Sequence, residues 1–395
     1  MTRVDQRKKE SKTEASKPNP TKLRILFVND TNHIEGGAQI YLENTMVGLR
    51  AKGHAVYLVA GAQEQSAQER RAPLANKTFT ASRDGYARYL DRIYNRAAIT
   101  AIKEATGEFK PDIIHLNYAA DSVSLAGMRM LKAPRVVSFH DLVLVDESAY
   151  GTAGHPLYRL YIALWTATTR SILRQYDLAI APSLFVQRMA QAKGYRNCDV
   201  IPNGAMLEKA SLVPRRKEIL YVGKFIASKG VLTLLEAFAQ VRKAHPGAHL
   251  SLVGDGPERA LVLATIKRLK LSDFVTIHVH ANRADLSKRY AAARIIVVPS
   301  VIPESFNLVR IEAMSAGRPV VLTPVGGMRE GVHDGEDVIV LPDTTARSIA
   351  SAVNKLLSDT ALCARIGANA ARTAANFSMK EHLTRLEAKY RELLS

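Results

Sequence analysis

The feature that most limits how this chain can fold is a strand–helix alternation that runs its course, breaks, and begins again. From Leu23 the runs LRILFVN, HAVYLVA, DIIHLN, PRVVSF, DLAIA and DVIP are each followed by a turn and mostly by an amphipathic segment. Their apolar residues are continuous rather than alternating, the pattern of strands covered on both faces and hence of a parallel sheet. Strands and helices in this order build a doubly wound α/β layer structure. The segment IPNGAMLEKASLVPRRKE (Ile201–Glu218) then supplies turn formers and basic residues without helical periodicity, so it reads as an interdomain linker. Alternation resumes with ILYVG, a helix from about Gly230 to Ala244, HLSLVG, a helix from about Pro257, FVTIHV, RIIVVP, PVVLT and DVIVLP.

Two such halves fit the length, since 395 residues exceed the roughly 250 at which single cores stop growing. The expected division is a basic leader over 1–20, an N-terminal Rossmann-like domain over 21–203, a linker over 204–217 and a C-terminal Rossmann-like domain over 218–376. A terminal helix over 377–395 completes it. That helix carries a capping-box pair, Ser378 and Glu381, and an apolar face of Leu383, Leu386, Tyr390 and Leu393. It can pack on either domain, the N-terminal one being the candidate. Ligands of paired α/β domains sit in the cleft at the carboxyl ends of the strands.

Composition excludes several classes. Hydrophobic content of 47% with 23% charged residues is that of a globular chain. No apolar run reaches the roughly 18 residues of a membrane span, and the start MTRVDQRKKESK does not read as a secretory signal. Two distant cysteines, Cys198 and Cys363, exclude a disulfide framework and a cysteine zinc site, and a reducing cytoplasm is the expected compartment. A net charge of +18 raises the question of nucleic acid. The excess divides evenly, +9 in each half, which argues against a nucleic-acid arm. Only the leader is tail-like, read as a disordered solubilising segment.

The richest chemistry lies in PSVIPESFNLVRIEAMSAGRPVVLTPVGG (Pro299–Gly327). A strand ends at Pro299, a loop carries Glu304 to Asn307, and a helix starting near Leu308 carries Glu312. Free N–H groups of that helix's first turn suit an anion or a polyhydroxy ligand, and two carboxylates can accept from its hydroxyls. The competing reading makes both glutamates solvated surface acids. In the first half, Gly36-Gly37 lies between a strand and a helix from about Ala38, where backbone can approach a ligand closely.

These residues carry a resemblance. ESFNLVRIEAMSAGRPVV resembles the E-x7-E region of retaining glycosyltransferases of the two-domain GT-B fold, glycosyltransferase family 4. EGGAQIYLENTMVGLRAKGHAV, SFHD, IPNG, YVGKFIASKG, LVGDGPER and PVGGMRE agree with the same family in order and spacing. The resemblance implies that Glu312 binds the ribose hydroxyls of a UDP- or GDP-linked sugar. Glu304 and the amides of Ser305, Phe306, Asn307 and Leu308 would face the sugar and diphosphate. Lys224 and Lys229 would neutralise that diphosphate, and His140 would lie near the anomeric carbon. Bland readings stand beside these: an exposed helix-start lysine for Lys229, a turn-capping histidine beside Asp141 for His140. The family usually has Arg at Lys224 and Gly at Asn307. Lysine loses the bidentate fork, whereas Asn tolerates positive φ and leaves a side chain for the sugar.

No D-x-D triplet and no metal-spaced cluster occurs, so no metal and no cofactor are expected, as in the family. The implied activity is metal-independent sugar transfer with retention, onto a glycan or lipid-linked acceptor in cell-surface polysaccharide or glycolipid assembly. A glycoside phosphorylase of the same fold, a degenerate scaffold and a nucleic-acid-binding protein are the alternatives, the last disfavoured by the even charge. Acceptor or anionic-membrane contact is expected at a basic stripe, Arg88, Arg92 and Arg96, interleaved with Tyr86, Tyr89 and Tyr94. A second helix, His155–Tyr176, places Leu157, Tyr161, Leu164 and Trp165 with three arginines and reads either as core or as membrane-facing. The expected location is cytoplasmic, peripheral at the inner membrane face.

Overall fold

The computed structural model describes residues 22–395 apart from 33–35, 63–73, 81–90, 92–93, 119–122, 124–131, 143–144, 146–155, 209–210, 213, 215 and 280–281. The leader 1–20 and Arg88 and Arg92 therefore lie outside the described residues. Among these residues the first sheet holds seven strands: β1 (Arg24–Asn29), β2 (Ala55–Ala62), β3 (Lys77–Thr80), β4 (Ile113–Tyr118), β5 (Arg135–Ser138), β6 (Leu178–Ala181) and β7 (Cys198–Val200). Their spatial order is β3-β2-β1-β4-β5-β6-β7. The second sheet holds β8 (Glu218–Val222), β9 (His249–Val253), β10 (Val275–His278), β11 (Ile295–Val298), β12 (Val320–Leu322) and β13 (Ile339–Val340), in the order β10-β9-β8-β11-β12-β13. Every pairing is parallel.

Each sheet is sandwiched between helices. In the first half these are α1 (Gly37–Ala51), α2 (Arg96–Phe109), α3 (Pro156–Leu173) and α4 (Leu184–Ala192). In the second they are α5 (Val231–Ala244), α6 (Arg259–Arg268), α7 (Arg283–Ala292), α8 (Leu308–Ser315), α9 (Ala346–Ser358) and α10 (Thr360–Ala374), followed by α11 (Met379–Glu392). The apolar runs are buried on both faces: all four residues of IIVV in β11 are buried, and Ile296 and Val297 join different clusters. The polar β3 departs from that pattern because it is an edge strand, with Phe79 its one buried residue.

The chain crosses between the sheets twice, and the crossings pair with each other. Ala205 N donates to the Phe377 carbonyl and Met379 N to the Ala205 carbonyl, both at 2.9 Å. Gly204 has no room for a side chain there, since a Cβ would lie 2.7 Å from His382 Cβ and 2.8 Å from Met379 Cα. Ser378 caps α11 by accepting from Glu381 N at 3.2 Å. The helix then packs against α1 and buries Met379, Leu383, Leu386 and Tyr390 with Ile25, Phe27, Leu42 and Met46 of the first half. Each such side chain stabilises the assembly by about 1.5–3 kcal/mol.

Candidate active site

The two sheets meet at their carboxyl edges. The turn after β8, Ala227–Lys229, ends at Gly230 with φ 68°, where a Cβ would overlap the Pro299 carbonyl oxygen beyond β11. Val301 N donates to the Ser228 carbonyl at 2.9 Å. This docking brings Lys229 Nζ to 2.6 Å from Glu304 Oε1, which also accepts from the Ser300 hydroxyl. The Glu304 backbone is fixed in turn: Gly327 N donates to its carbonyl at 2.8 Å, and Gly326, at φ 62°, leaves no space for a side chain against it. Lys224 lies on the same connection as Lys229, exposed, its carbonyl accepting from the Tyr221 hydroxyl at 2.9 Å.

Ser305 touches both halves. Its hydroxyl donates to the His140 carbonyl at 2.5 Å, and its own carbonyl accepts from the Ser183 hydroxyl at 2.7 Å. Phe306 is buried, with the Arg310 guanidinium 5.3 Å from its ring centroid. Arg310 is itself fully buried, which lowers its pKa to about 10, and donates to the carbonyls of Met328 and Glu330. Asn307 takes φ 137°, and its Oδ1 accepts from Arg310 N at 2.9 Å, capping α8. The side chain expected to be left for a sugar thus spends one acceptor site of its oxygen on the first turn of α8. Leu308 opens α8, and Glu312 lies a turn further, 9% exposed, accepting from the Tyr290 hydroxyl at 3.0 Å and facing Arg283 Nη1 at 3.5 Å. Burial raises the Glu312 carboxyl above its usual range and Arg283 opposes that shift. Neither Glu304 nor Glu312 is a solvated surface acid.

Across the cleft, α1 begins at Gly37, and no described side chain caps its first turn. A Cβ on Gly37 would lie 3.9 Å from Leu308 Cδ1, so the N-termini of α1 and α8, the positive ends of their dipoles, converge. His140 lies beside them with its ring 4.6 Å from that of Tyr41. Its Nε2 bonds Asn117 Oδ1 at 2.9 Å; Asn117 Nδ2 donates to Asn29 Oδ1 at 2.9 Å and Asn29 Nδ2 to the Thr31 carbonyl at 2.7 Å. An amide oxygen only accepts, so this arrangement places the proton on Nε2 and leaves the enclosed Nδ1 as an acceptor. Burial, then the charge of His382, pulls the His140 pKa down to about 3, so the imidazole is neutral near pH 7.

Of the arginine stripe, Arg88 and Arg92, with Tyr86 and Tyr89, lie outside the described residues, and Arg96 is the first residue of α2, capped by the extended Asn95. The helix that reads either as core or as membrane-facing, α3, presents one face of each kind. Trp165 and Ile162 are buried, whereas Leu160 and Leu164 are 57% and 61% exposed on the outer face of α3. Several residues that shape the site were not singled out in the sequence. Glu330 carries both oxygens to the N-terminus of α4, each 2.6 Å from a backbone nitrogen, of Leu184 and Phe185. Tyr41, Asn117, Ser183, Arg283 and Tyr290 hold the groups just described. Only Ser183, between a strand and a helix, carried a local signal, that of an N-cap. Among the described residues no three His, Cys, Asp or Glu side chains are grouped as metal ligands.

Two facing parallel α/β units define the architecture as the GT-B fold. Residues 205–373 match the family "Glycosyl transferases group 1" and residues 35–209 match "Glycosyltransferase Family 4". A D-inositol 3-phosphate glycosyltransferase of Kineococcus radiotolerans is 37% identical over 304 residues, 67% of this chain and 68% of that protein. One of the same description from Segniliparus rotundus is 28% identical over 388 residues, 91% and 85% of the two chains. Among solved structures, Anabaena HepE in complex with UDP and glucose superposes with a TM-score of 0.74 at 22% identity, over 93% of this chain and 99% of that one. The chain belongs to the glycosyltransferase family 4 enzymes.

Proposed function

We propose that this glycosyltransferase takes its sugar from a UDP- or GDP-linked donor and transfers it, with retention and without a metal ion, to a hydroxyl of a glycan or lipid-linked acceptor. The observation that carries this reading is the convergence of Lys229, Glu304, buried Glu312 and two helix N-termini on one cleft. Glu312 accepts the ribose hydroxyls, and the N–H groups of α8 with Lys229 and Lys224 take the diphosphate. The bond from the anomeric carbon to the phosphate oxygen breaks, and negative charge grows where these cations are fixed. The acceptor oxygen forms its bond on the face the phosphate leaves, and its proton passes to that phosphate oxygen. Glu304 is held by Lys229 and Ser300, which disfavours a separate role for it as a nucleophile beneath the sugar. A trapped glycosyl-enzyme adduct would overturn the front-face route.

The test is a thermal-shift panel with UDP, GDP, ADP and their sugars. One nucleotide is expected to raise Tm, by several degrees at about 100 times its Kd, and Glu312→Ala to abolish the shift. No shift with any of them refutes a nucleotide donor. Inorganic phosphate acting alone favours a phosphorylase, the reading in which Lys224 and Lys229 hold free phosphate.

The setting that fits is cell-surface polysaccharide or glycolipid assembly at the cytoplasmic face of a membrane. No helix among the described residues is long and apolar enough to cross one. The outer face of α3, with Leu160 and Leu164 exposed beside Arg159, supports peripheral contact. Liposomes containing anionic lipid are expected to co-sediment the protein at low salt, and Leu164→Asp to weaken it. Failure of the wild type to sediment rejects membrane contact.

A further inference from the structure

We propose that Arg283 is a positioning residue for Glu312, holding its carboxylate ionised and aimed into the cleft while fastening it to the segment that joins the two halves. The proposal rests on the reading of Glu312 as the ribose ligand. Arg283 is the first residue of α7, a helix capped by Asn282, whose Oδ1 accepts from Asp285 N at 2.9 Å. From there its guanidinium reaches two structures at once. Nη1 lies 3.5 Å from Glu312 Oε1, and Nη2 donates to the Met206 carbonyl at 2.6 Å and to Glu208 Oε1 at 3.2 Å. Met206 and Glu208 belong to the crossing between the sheets.

A second path closes the loop. Glu208 N donates to the Ser315 hydroxyl at 2.8 Å, and that hydroxyl donates to the Glu312 carbonyl at 2.8 Å. The other Glu208 oxygen accepts from Ser287 at 2.5 Å. Glu312 is thus joined to the crossing segment twice, its carboxylate through Arg283 and its backbone carbonyl through Ser315.

The electrostatics make Arg283 decisive. Among the described residues three groups face Glu312: Arg283 and Tyr290 from α7, and Glu208 from the crossing segment. Tyr290 is neutral at physiological pH, its hydroxyl pushed upward by burial and by Glu312. Glu208 repels a second negative charge. Arg283 is the one cation of the three, and it opposes the burial that favours the protonated acid. Tyr290 and Arg283 each address one oxygen of Glu312. Each carboxylate oxygen has two acceptor sites, so one remains on each for the two neighbouring hydroxyls of a ribose. Only the ionised carboxylate offers both.

The test is the affinity for UDP and GDP between pH 5 and 8.5, by calorimetry, for wild type, Arg283→Gln and Arg283→Lys. Glu312→Gln supplies the baseline for the ligand's own titration. In Arg283→Gln the pH below which binding fails is expected to rise by about one unit. Affinity on the acid side of that midpoint then falls about tenfold and recovers to within about twofold at pH 8.5. Arg283→Lys recovers part of the shift. The Arg283 side chain is 46% exposed, and an unchanged Tm of the variants verifies folding. A uniform weakening at every pH, or an unmoved midpoint, overturns the positioning role while leaving the ribose reading intact. Failure of the wild type to bind either nucleotide overturns the ribose reading, and this proposal with it.

Discussion

Lys229→Ala is expected to lower kcat by about two to three orders of magnitude while raising the donor KM far less. In the proposed reaction the charge that must be met is created as the sugar–phosphate bond breaks. A cation placed before the reaction stabilises that state more than the bound donor, so its loss falls mainly on kcat. The geometry supports a fixed rather than a sweeping cation. Lys229 closes a 3-10 turn docked on Pro299 and is held 2.6 Å from Glu304, with its side chain only 32% exposed. Lys224, exposed on the same connection, is expected to matter less. Glu304→Gln should cost less than Lys229→Ala, and the double variant should cost less than the product of the two, because the pair acts as a unit. Initial-rate kinetics with the donor identified by thermal shift measures all three. A kcat within about threefold of wild type in Lys229→Ala would remove the lysine from the transition state.

How far the sequence could be read depended on whether a residue's neighbours were local. The strands β8, β9 and β11 were legible because burial on both faces writes itself as continuous apolar runs such as IIVV. Although the cap that Asn307 supplies was not read, the start of α8 near Leu308 and the positive φ of Asn307 were legible. β3 was not, since an edge strand with one buried residue resembles a polar loop. The cap at Asn95 was legible only once α2 was seen to begin at Arg96. Glu304 and Glu312 announced themselves through eight-residue spacing on one loop and helix. Arg283 and Glu330 could not, because Arg283 meets Glu312 and Glu208 across separate elements, and the partners of Glu330 lie 145 or more residues away in the other half. The docking contacts also explain why the donor loop is sensitive to the other half. Ser305 accepts from Ser183 and donates to the His140 carbonyl, so any movement between halves is felt at the helix that carries Glu312.

The second large effect expected is a steep loss of stability in mild acid, from imidazoles sealed between α11 and the first sheet. His115 bonds the Tyr390 hydroxyl at 2.5 Å and the Ser138 hydroxyl at 2.8 Å. His382 donates from Nδ1 to the Pro202 carbonyl at 2.8 Å, so its Nε2 is the acceptor for Tyr41, at 2.9 Å. Burial above all, and for His115 the neighbouring histidines, pulls their pKa values down to about 3 for His115 and about 4 for His382. In the unfolded chain the same groups take up a proton near pH 6.5. Between these limits the unfolded state binds protons that the folded state refuses, so stability is present above about pH 6.5 and is lost as pH falls below it. Each group contributes a slope of about 1.4 kcal/mol per pH unit once its unfolded form is fully charged, and the pair about 2.7. His140, lowered to about 3 but reaching the cleft, moves the total toward about 4 kcal/mol per unit. Burial also lowers the pKa of His54, His245 and His278 and raises that of the Glu312 carboxyl, so across pH 6 to 5 the effect is read as the difference in slope between wild type and His382→Gln. Glu387, which Lys52 and Arg391 hold at about 2 despite its burial, counts only below its unfolded value of about 4.5. Urea midpoints at half-unit steps across that interval measure the slope for the transition that includes α11. His382→Gln keeps a donor for Pro202 and an acceptor for Tyr41 but cannot titrate, so its slope should be smaller by about one proton. A flat wild-type profile, or an equal slope in His382→Gln, would show that these histidines take up protons without unfolding. An acid-loosened α11 would also release Tyr41 from His382, and with it the ring against which His140 rests.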